Sequence, residues 1–320
     1  MADPVRPLPV DASPLAGKSV LVTGGTGSFG HAFVAHALAS DARRVVVFSR
    51  DELKQAAMRA TFPDERMRFF LGDVRDLGRV RRAFEGIDFV IHAAALKRIE
   101  AGEQDAEEFV KTNVLGTMHV VAAAHDAGVD RVCFLSTDKA SQASTLYGST
   151  KMTAERLIRA ANNARGATGP IYAATRYGNV SNTRGSVIPK WRALIAAGQA
   201  ITITDPDATR YWMPMADAVA LVSWTLGAMV GGEVVVPDLP AYRVGDLAQA
   251  MGATDIVTTA LANGEKRHES MIGTDELPSF RRCGPYWSSA GQGASLDAPL
   301  TSDTAPRLTV AELRERLEGL

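Results

Sequence analysis

The sequence predicts an α/β protein built on a doubly wound parallel sheet, with a smaller lobe formed by the C-terminal part. Three observations predict it. From Lys18 to about Tyr177, short Val-rich and Phe-rich runs alternate with longer amphipathic stretches. The short runs lack the in-out alternation of a half-exposed sheet, as expected of parallel strands covered on both faces. A glycine-rich turn separates the first apolar run from the first amphipathic one, where a nucleotide-binding βα unit carries it.

The elements follow in order. Residues 1 to 16, with Pro4, Pro7 and Pro9, predict a disordered arm. Residues 17 to 176 predict the dinucleotide-binding domain: strand SVLVT and a helix to Ala39, RVVVF and a helix from Asp51, MRFFL and a helix from Asp76. Next come DFVIHAAA, one long helix from Ala106 to Ala127, RVCFLS, a helix from about Leu146 to Asn162, and PIYAATR. Residues 177 to 320 predict mainly a substrate-binding lobe, with some chain returning to the sheet. The apolar run Ala218 to Gly232 is broken by Ser223 and falls short of the ~18 residues of a membrane span, so it predicts a buried helix. Trp191 and Trp212 are expected to pack the lobe, and His92, at a strand end, to be a satisfied structural histidine.

Composition excludes several classes. Of 320 residues, 46% are hydrophobic and 22% charged, which argues against a disordered chain or a coiled coil. Lys plus Arg (35) nearly cancels Asp plus Glu (36), so no broad field for nucleic acid or an anionic membrane exists. Two cysteines outside any CxxC pair, and six histidines without paired spacing, argue for a reducing compartment and against a metal site. With Pro4, Pro7, Pro9 and Asp11 where a signal peptide needs apolar residues, the expected location is cytoplasmic.

The motifs carry the chemistry. In TGGTGSFG (23–30), Gly24, Gly27 and Gly30 let the backbone turn and approach a pyrophosphate, which a helix N-terminus then favours. The second strand should deliver the group that reads the adenosine ribose, and it ends in Ser49-Arg50-Asp51. Arg50, with Lys54 one turn on, favours the 2′-phosphate of NADP, whereas Asp51 would suit the 2′-hydroxyl of NAD. Asp73-Val74 after the third strand is placed to bind adenine. Tyr147 and Lys151 lie one helical turn apart, so the ammonium is expected to lower the phenol's pKa toward that of a useful base. Ser136-Thr137-Asp138-Lys139 leaves the carboxyl end of the fifth strand, the edge where open α/β sheets bind ligands.

With these residues in place, the chain resembles an extended short-chain dehydrogenase/reductase with a Rossmann sheet. Within that group it resembles the soluble inverting UDP-N-acetylglucosamine 4,6-dehydratases. TGGTGSFG, FSRDELKQ, GDVRDL, HAAALK, KTNVLGT, LSTDKA, YGSTK, RYGNV, RGSVIP, GGEVVVP, GEKRHE and LTVAELR carry the likeness in order. The resemblance implies that Tyr147 and Lys151 are the redox pair, that Ser136 or Thr137 assists, and that Asp138 and Lys139 are the elimination acid and base. It implies cofactor contacts from Thr26, Ser28, Phe29, Ser49, Ala93, Ala94, Ala95, Lys97, Tyr177 and Asn179. For the UDP-sugar it implies Lys97, Asn179, Arg184, Val187, Arg210 and Glu269. Membrane-bound relatives carry Met at the position of Tyr147, so the soluble branch fits. The helices 106–127 and 146–162 resemble the pair that forms the family's oligomers.

Two stretches depart from the family pattern. Arg98-Ile99-Glu100 replaces the usual HVP, and Ser141-Gln142-Ala143-Ser144-Thr145 replaces VNPIN. Both are expected to border the sugar. The implied reaction oxidises C4, removes the C5 proton with Lys139, and expels the C6 hydroxyl with a proton from Asp138. The hydride then returns to C6 and C5 is reprotonated from the opposite face. A lysine base must be neutral, so burial is expected to keep Asp138 protonated and to depress Lys139. The alternatives are a UDP-sugar 4- or 5-epimerase, a dehydratase releasing the 5,6-ene, and a non-catalytic NADP-binding scaffold.

Overall fold

In the computed structural model, which describes residues 13–320, the apolar runs become neighbouring strands of one sheet. They are β1 (Ser19–Thr23), β2 (Arg44–Ser49), β3 (Met67–Leu71), β4 (Phe89–His92), β5 (Arg131–Leu135) and β6 (Ile171–Thr175). All six are parallel, in the order β3-β2-β1-β4-β5-β6. Beyond β6 the sheet continues with Val234–Val236, which is parallel, then Tyr286–Ser288 and Arg281–Cys283, which are antiparallel. Among the described residues, the C-terminal half thus supplies three of the nine strands of this sheet.

Every residue of β1 is buried, and its neighbours in sequence face opposite cores. Leu21 packs with Val90, Val132, Phe134 and Tyr172 on one face, while Val20 and Val22 pack with Ile91, Cys133 and Ala173 on the other. That two-sided burial is why the strands read as continuous apolar runs. The flanking helices include α1 (Ser28–Ala39), α2 (Glu52–Thr61) and α3 (Leu77–Phe84). Asp51 and Asp76 cap α2 and α3 by accepting from the backbone N–H of Lys54 and Arg79, satisfying donors that a helix start leaves open.

Two expectations change. The arm predicted over residues 1–16 lies partly outside the described residues, but Ser13–Leu15 form a 3-10 turn with Leu15 fully buried. Burying that side chain offsets the entropy of ordering the turn. The helix expected over 106–127 is interrupted: Ala106–Phe109 is α-helical, Val110–Leu115 is a π-helical stretch, and Gly116–Ala127 is α-helical again. A π-turn inserts one extra residue, and Asn113 within it turns inward to bond the backbone of Leu96.

The C-terminal lobe has its own small core, in which Trp191 and Trp212 pack with Ile188, Tyr242, Leu247 and Leu313. Met215–Ala228 is a largely buried helix. Among the described residues, no helix is long and apolar enough to cross a membrane.

Candidate active site

The glycine turn links β1 to α1 at the carboxyl edge of the sheet. Gly24 has φ +66°, and a Cβ there would lie 2.9 Å from the Ala94 backbone. A Cβ on Gly30 would lie 2.2 Å from the Gly25 carbonyl oxygen, so the helix can start this close to the turn only with glycine. Thr26 and Ser49 join hydroxyls at 2.8 Å, which ties the turn to the end of β2. The residues fit a dinucleotide: backbone without side chains at the tight approaches, and the N-terminus of a twelve-residue helix behind it.

At the ribose end, Asp51 is already occupied. Its carboxylate caps α2 and pairs with Lys54 Nζ, and that hydrogen bonding holds its pKa below the usual carboxylate range. Arg50 remains open to a ligand, with its side chain 55% exposed and one contact to Asp73 at 3.4 Å. Asp73 also binds Arg75 through both backbone and guanidinium, and Val74 is buried against Gly116.

The helix Leu146–Ala164 carries Tyr147 and Lys151 beside β5, capped by the Thr145 hydroxyl. Their electrostatics differ from the expected pairing. Lys151 Nζ donates to the Leu135 carbonyl at 2.6 Å and sits over the Phe134 ring. Burial lowers its pKa to about 7, against the pull of Glu155. Tyr147 is raised to about 12 by burial, which outweighs Lys139 and a hydrogen bond with Thr137. Lys151 is turned toward β5, and the charge that acts on the phenol is that of Lys139, so the expected lowering of Tyr147 by Lys151 is absent here.

Lys139 also departs from expectation. Its ammonium lies 3.1 Å from Asp138 Oδ1 and 2.9 Å from Glu269 Oε1. Burial alone would lower it, but the two carboxylates outweigh burial and hold it above the ordinary lysine range. Asp138 behaves as expected, raised by burial. The depression of Lys139 fails because the Asp138 charge opposes burial and Glu269, which is 130 positions away in sequence, adds a second negative charge. Thr137 donates its hydroxyl to Asp138 at 2.9 Å. Ser136 Oγ, Asp138 Oδ2 and Glu269 Oε2 are buried with no hydrogen-bond partner among the described residues.

The remaining predicted residues divide. Ala93, Ala94 and Ala95 follow β4 against the glycine turn, and Ala94 N–H donates to Thr23 Oγ1. Lys97 is exposed at the same edge, its pKa lowered by burial of its head group and then by Arg98. Tyr177 lies close enough to Tyr147 to feel its charge, Asn179 is exposed, and Val187 opens the helix Val187–Ala196. Arg184 reaches the cofactor side: its backbone N–H donates to Ser28 Oγ at 2.9 Å, and its charge is felt at His31 and Asp51. Arg210 is tied to Glu265 and to the carbonyls of Thr209 and Arg267. Both Arg210 and Glu269 therefore stand beside Lys139 as parts of its charge cluster, and neither presents an uncommitted polar group of the kind expected for UDP, apart from Glu269 Oε2.

His92 is fully buried between Thr23 and Thr117, and burial lowers its pKa to about 3. The departures over 141–145 are absorbed by the fold: Ser141 donates to Glu276, Lys266 Nζ donates to the Ser141 carbonyl, and Thr145 is the helix cap. Two bracing groups were not singled out from sequence. Asn113 joins Leu96 to Thr150 on the Tyr147 helix, although KTNVLGT held the signal. Arg176, buried at the end of β6, pairs with Glu155 at 2.6 Å and Glu276 at 2.9 Å, and no local pattern announces that.

Nucleotide cradle and buried tyrosine share one sheet edge, with a lobe rising beside them, and this makes the chain an enzyme of the extended short-chain dehydrogenase/reductase type. More narrowly, it belongs to the family described as polysaccharide biosynthesis protein, whose model matches residues 20–286. An inverting UDP-N-acetylglucosamine 4,6-dehydratase of Campylobacter jejuni is 41% identical, covering 81% of this chain and 79% of that protein. A UDP-glucose 4-epimerase of Rickettsia rickettsii is 34% identical, covering 94% and 95%. Among solved structures, Pen from Bacillus thuringiensis superposes with TM-score 0.90 at 32% identity over 96% of this chain and 99% of that one. The dTDP-glucose 4,6-dehydratase DesIV of Streptomyces venezuelae, solved with NAD bound, gives TM-score 0.73 at 25% identity over 80% and 89%.

Proposed function

We propose that this protein is an NADP-dependent lyase that dehydrates UDP-N-acetylglucosamine across C5 and C6 with inversion at C5. The observation that carries the reading is the buried Asp138-Lys139 pair placed beside Tyr147, an acid and a base in addition to the redox tyrosine. A 4-epimerase needs only the tyrosine and the cofactor, because C5 is untouched. The identity with the Campylobacter dehydratase favours the same choice over the epimerase relatives.

Held at the glycine turn, NADP would supply the hydride chemistry, accepting hydride from C4 and providing it for C6. Tyr147 takes the C4 hydroxyl proton, helped by the Thr137 hydroxyl. Lys151 orients the ribose side of the cofactor. The C4 carbonyl acidifies C5, Lys139 takes the C5 proton, and Asp138, whose pKa is raised by burial, protonates the departing C6 hydroxyl with the proton it shares with Lys139. NADP rather than NAD is supported by Arg50 standing open while Asp51 is consumed as a cap. Gly24, Gly27 and Gly30 would hold the pyrophosphate. Lys97, Asn179 and Val187 remain the proposed contacts to the UDP-sugar. Exposed Val110, Leu115, Met118 and Met152, on the helices at 106–127 and 146–164, support a homo-oligomer built on those faces. The test is product NMR after incubation with UDP-N-acetylglucosamine in deuterated water. A 4-keto-6-deoxy sugar with deuterium at an inverted C5 is expected, and turnover without label at C5 overturns the reading.

A further inference from the structure

We propose that Glu269 is a positioning residue for Lys139, holding the lysine opposite Asp138 and stabilising the ammonium that forms when Lys139 takes the C5 proton. The inference deepens the dehydratase reading and rests on it. Glu269 comes from the C-terminal lobe, and its main chain is fixed there by hydrogen bonds in both directions with Ser302 at 2.8 Å. With its side chain only 3% exposed, the carboxylate is packed within the lobe and presents a fixed charge to Lys139. One oxygen bonds Lys139 and lies 3.8 Å from Arg210 Nε, while the other is buried without a partner among the described residues. Arg210 is itself committed to Glu265, so the Glu269 charge remains for Lys139.

The proton accounting needs such a group. At rest, Lys139 and Asp138 share one exchangeable proton across 3.1 Å. The reactive form has that proton on Asp138 and a neutral Lys139. The C5–H bond then breaks with its electrons left in the enolate, and the proton goes to Lys139. The C6–O bond breaks as Asp138 delivers its proton, and water leaves. Lys139 is now an ammonium and Asp138 a carboxylate, so the pair again holds one shared proton; a solvent-derived proton is delivered to C5 from the other face, and Tyr147 releases to solvent the proton it took from the C4 hydroxyl, which closes the balance. A fixed anion at 2.9 Å favours the ammonium in this step as a buried aspartate favours an imidazolium in a serine hydrolase triad. Around Lys139 the other charged or titratable groups are Asp138, Arg210, Tyr147, Tyr242 and Lys266, and only Asp138 and Glu269 are carboxylates.

The experiment is Glu269→Gln, which keeps shape and hydrogen bonding but removes the charge. Activity should persist only while the pair retains its shared proton, so its alkaline limit reports that proton's loss. In the wild type this limit is expected above the ordinary lysine range, because two carboxylates lie within 3.1 Å of Lys139 Nζ. In E269Q it should fall by about one to three pH units. C5 exchange in deuterated water should slow at least about tenfold at pH 7, while the Kd of UDP stays unchanged and Glu269→Asp restores part of the loss. An unchanged alkaline limit, or loss of UDP affinity with normal exchange, overturns the proposal and returns Glu269 to the ligand set. Should E269Q not fold, the wild type decides: its Lys139, assigned in carbon-13 lysine spectra by Lys139→Arg, must remain protonated beyond the ordinary lysine pKa. If the wild type turns over without C5 exchange, the dehydratase reading itself fails, which is a different result.

Discussion

Arg50 and Asp73 join the carboxyl ends of β2 and β3 through a contact of 3.4 Å, and the Arg50 side chain is 55% exposed. So long and exposed an ion pair contributes little to stability. On the proposed NADP reading, it holds the guanidinium at the end of β2 where the adenosine ribose would lie. Arg50→Ala should therefore leave folding unchanged and weaken NADP binding on the order of tenfold or more, with much less effect on NAD. Titration of both nucleotides by tryptophan fluorescence measures it, and equal losses would remove the NADP assignment.

Tyr147 lies within reach of Thr137 and carries a pKa raised to about 12 in the protein without ligands. Tyr147→Phe should bind cofactor and UDP normally while turnover drops by roughly 10² to 10⁴. If the variant keeps near-normal kcat, the proton is taken elsewhere.

On the proposed mechanism, Lys139→Ala removes the C5 base but spares Tyr147. Oxidation at C4 should still occur, so a 4-keto sugar that retains its C6 oxygen should accumulate, and C5 should fail to exchange with deuterated water. Mass spectrometry of the quenched nucleotide distinguishes this from a variant stalled before oxidation, which would contain only substrate.

His92 gives a prediction about acid stability. Burial lowers its pKa to about 3 in the folded protein, against 6.5 when unfolded. Between these values the unfolded chain binds a proton that the folded chain refuses, so stability falls as the pH drops from about 6.5 toward 3. His92→Gln, which can still bond Thr23 and Thr117, should flatten that part of the curve even if it lowers stability at pH 7. Urea midpoints at pH 7, 5.5 and 4 provide the measurement, and an unaltered slope would locate the acid sensitivity at another group.

The sequence by itself determined whatever depends on neighbours along the chain. Val-rich runs of β1, β2 and β5 could only be doubly covered strands, TGGTGSFG could only turn where glycine is allowed, and Tyr147 and Lys151 had to share a helix face. Local geometry sets these features, and local geometry is written in short spacings. Tertiary structure alone decided the charges. Four residues separate Tyr147 from Lys151, yet Leu135 and Phe134 hold the lysine toward β5, and burial moves the two pKa values to about 12 and about 7. Burial promised a depressed Lys139, but Asp138 beside it and Glu269, brought to 2.9 Å by the lobe, hold it high. Burial and long-range Coulomb interactions depend on what the whole chain packs around a group, and no spacing within a motif encodes that.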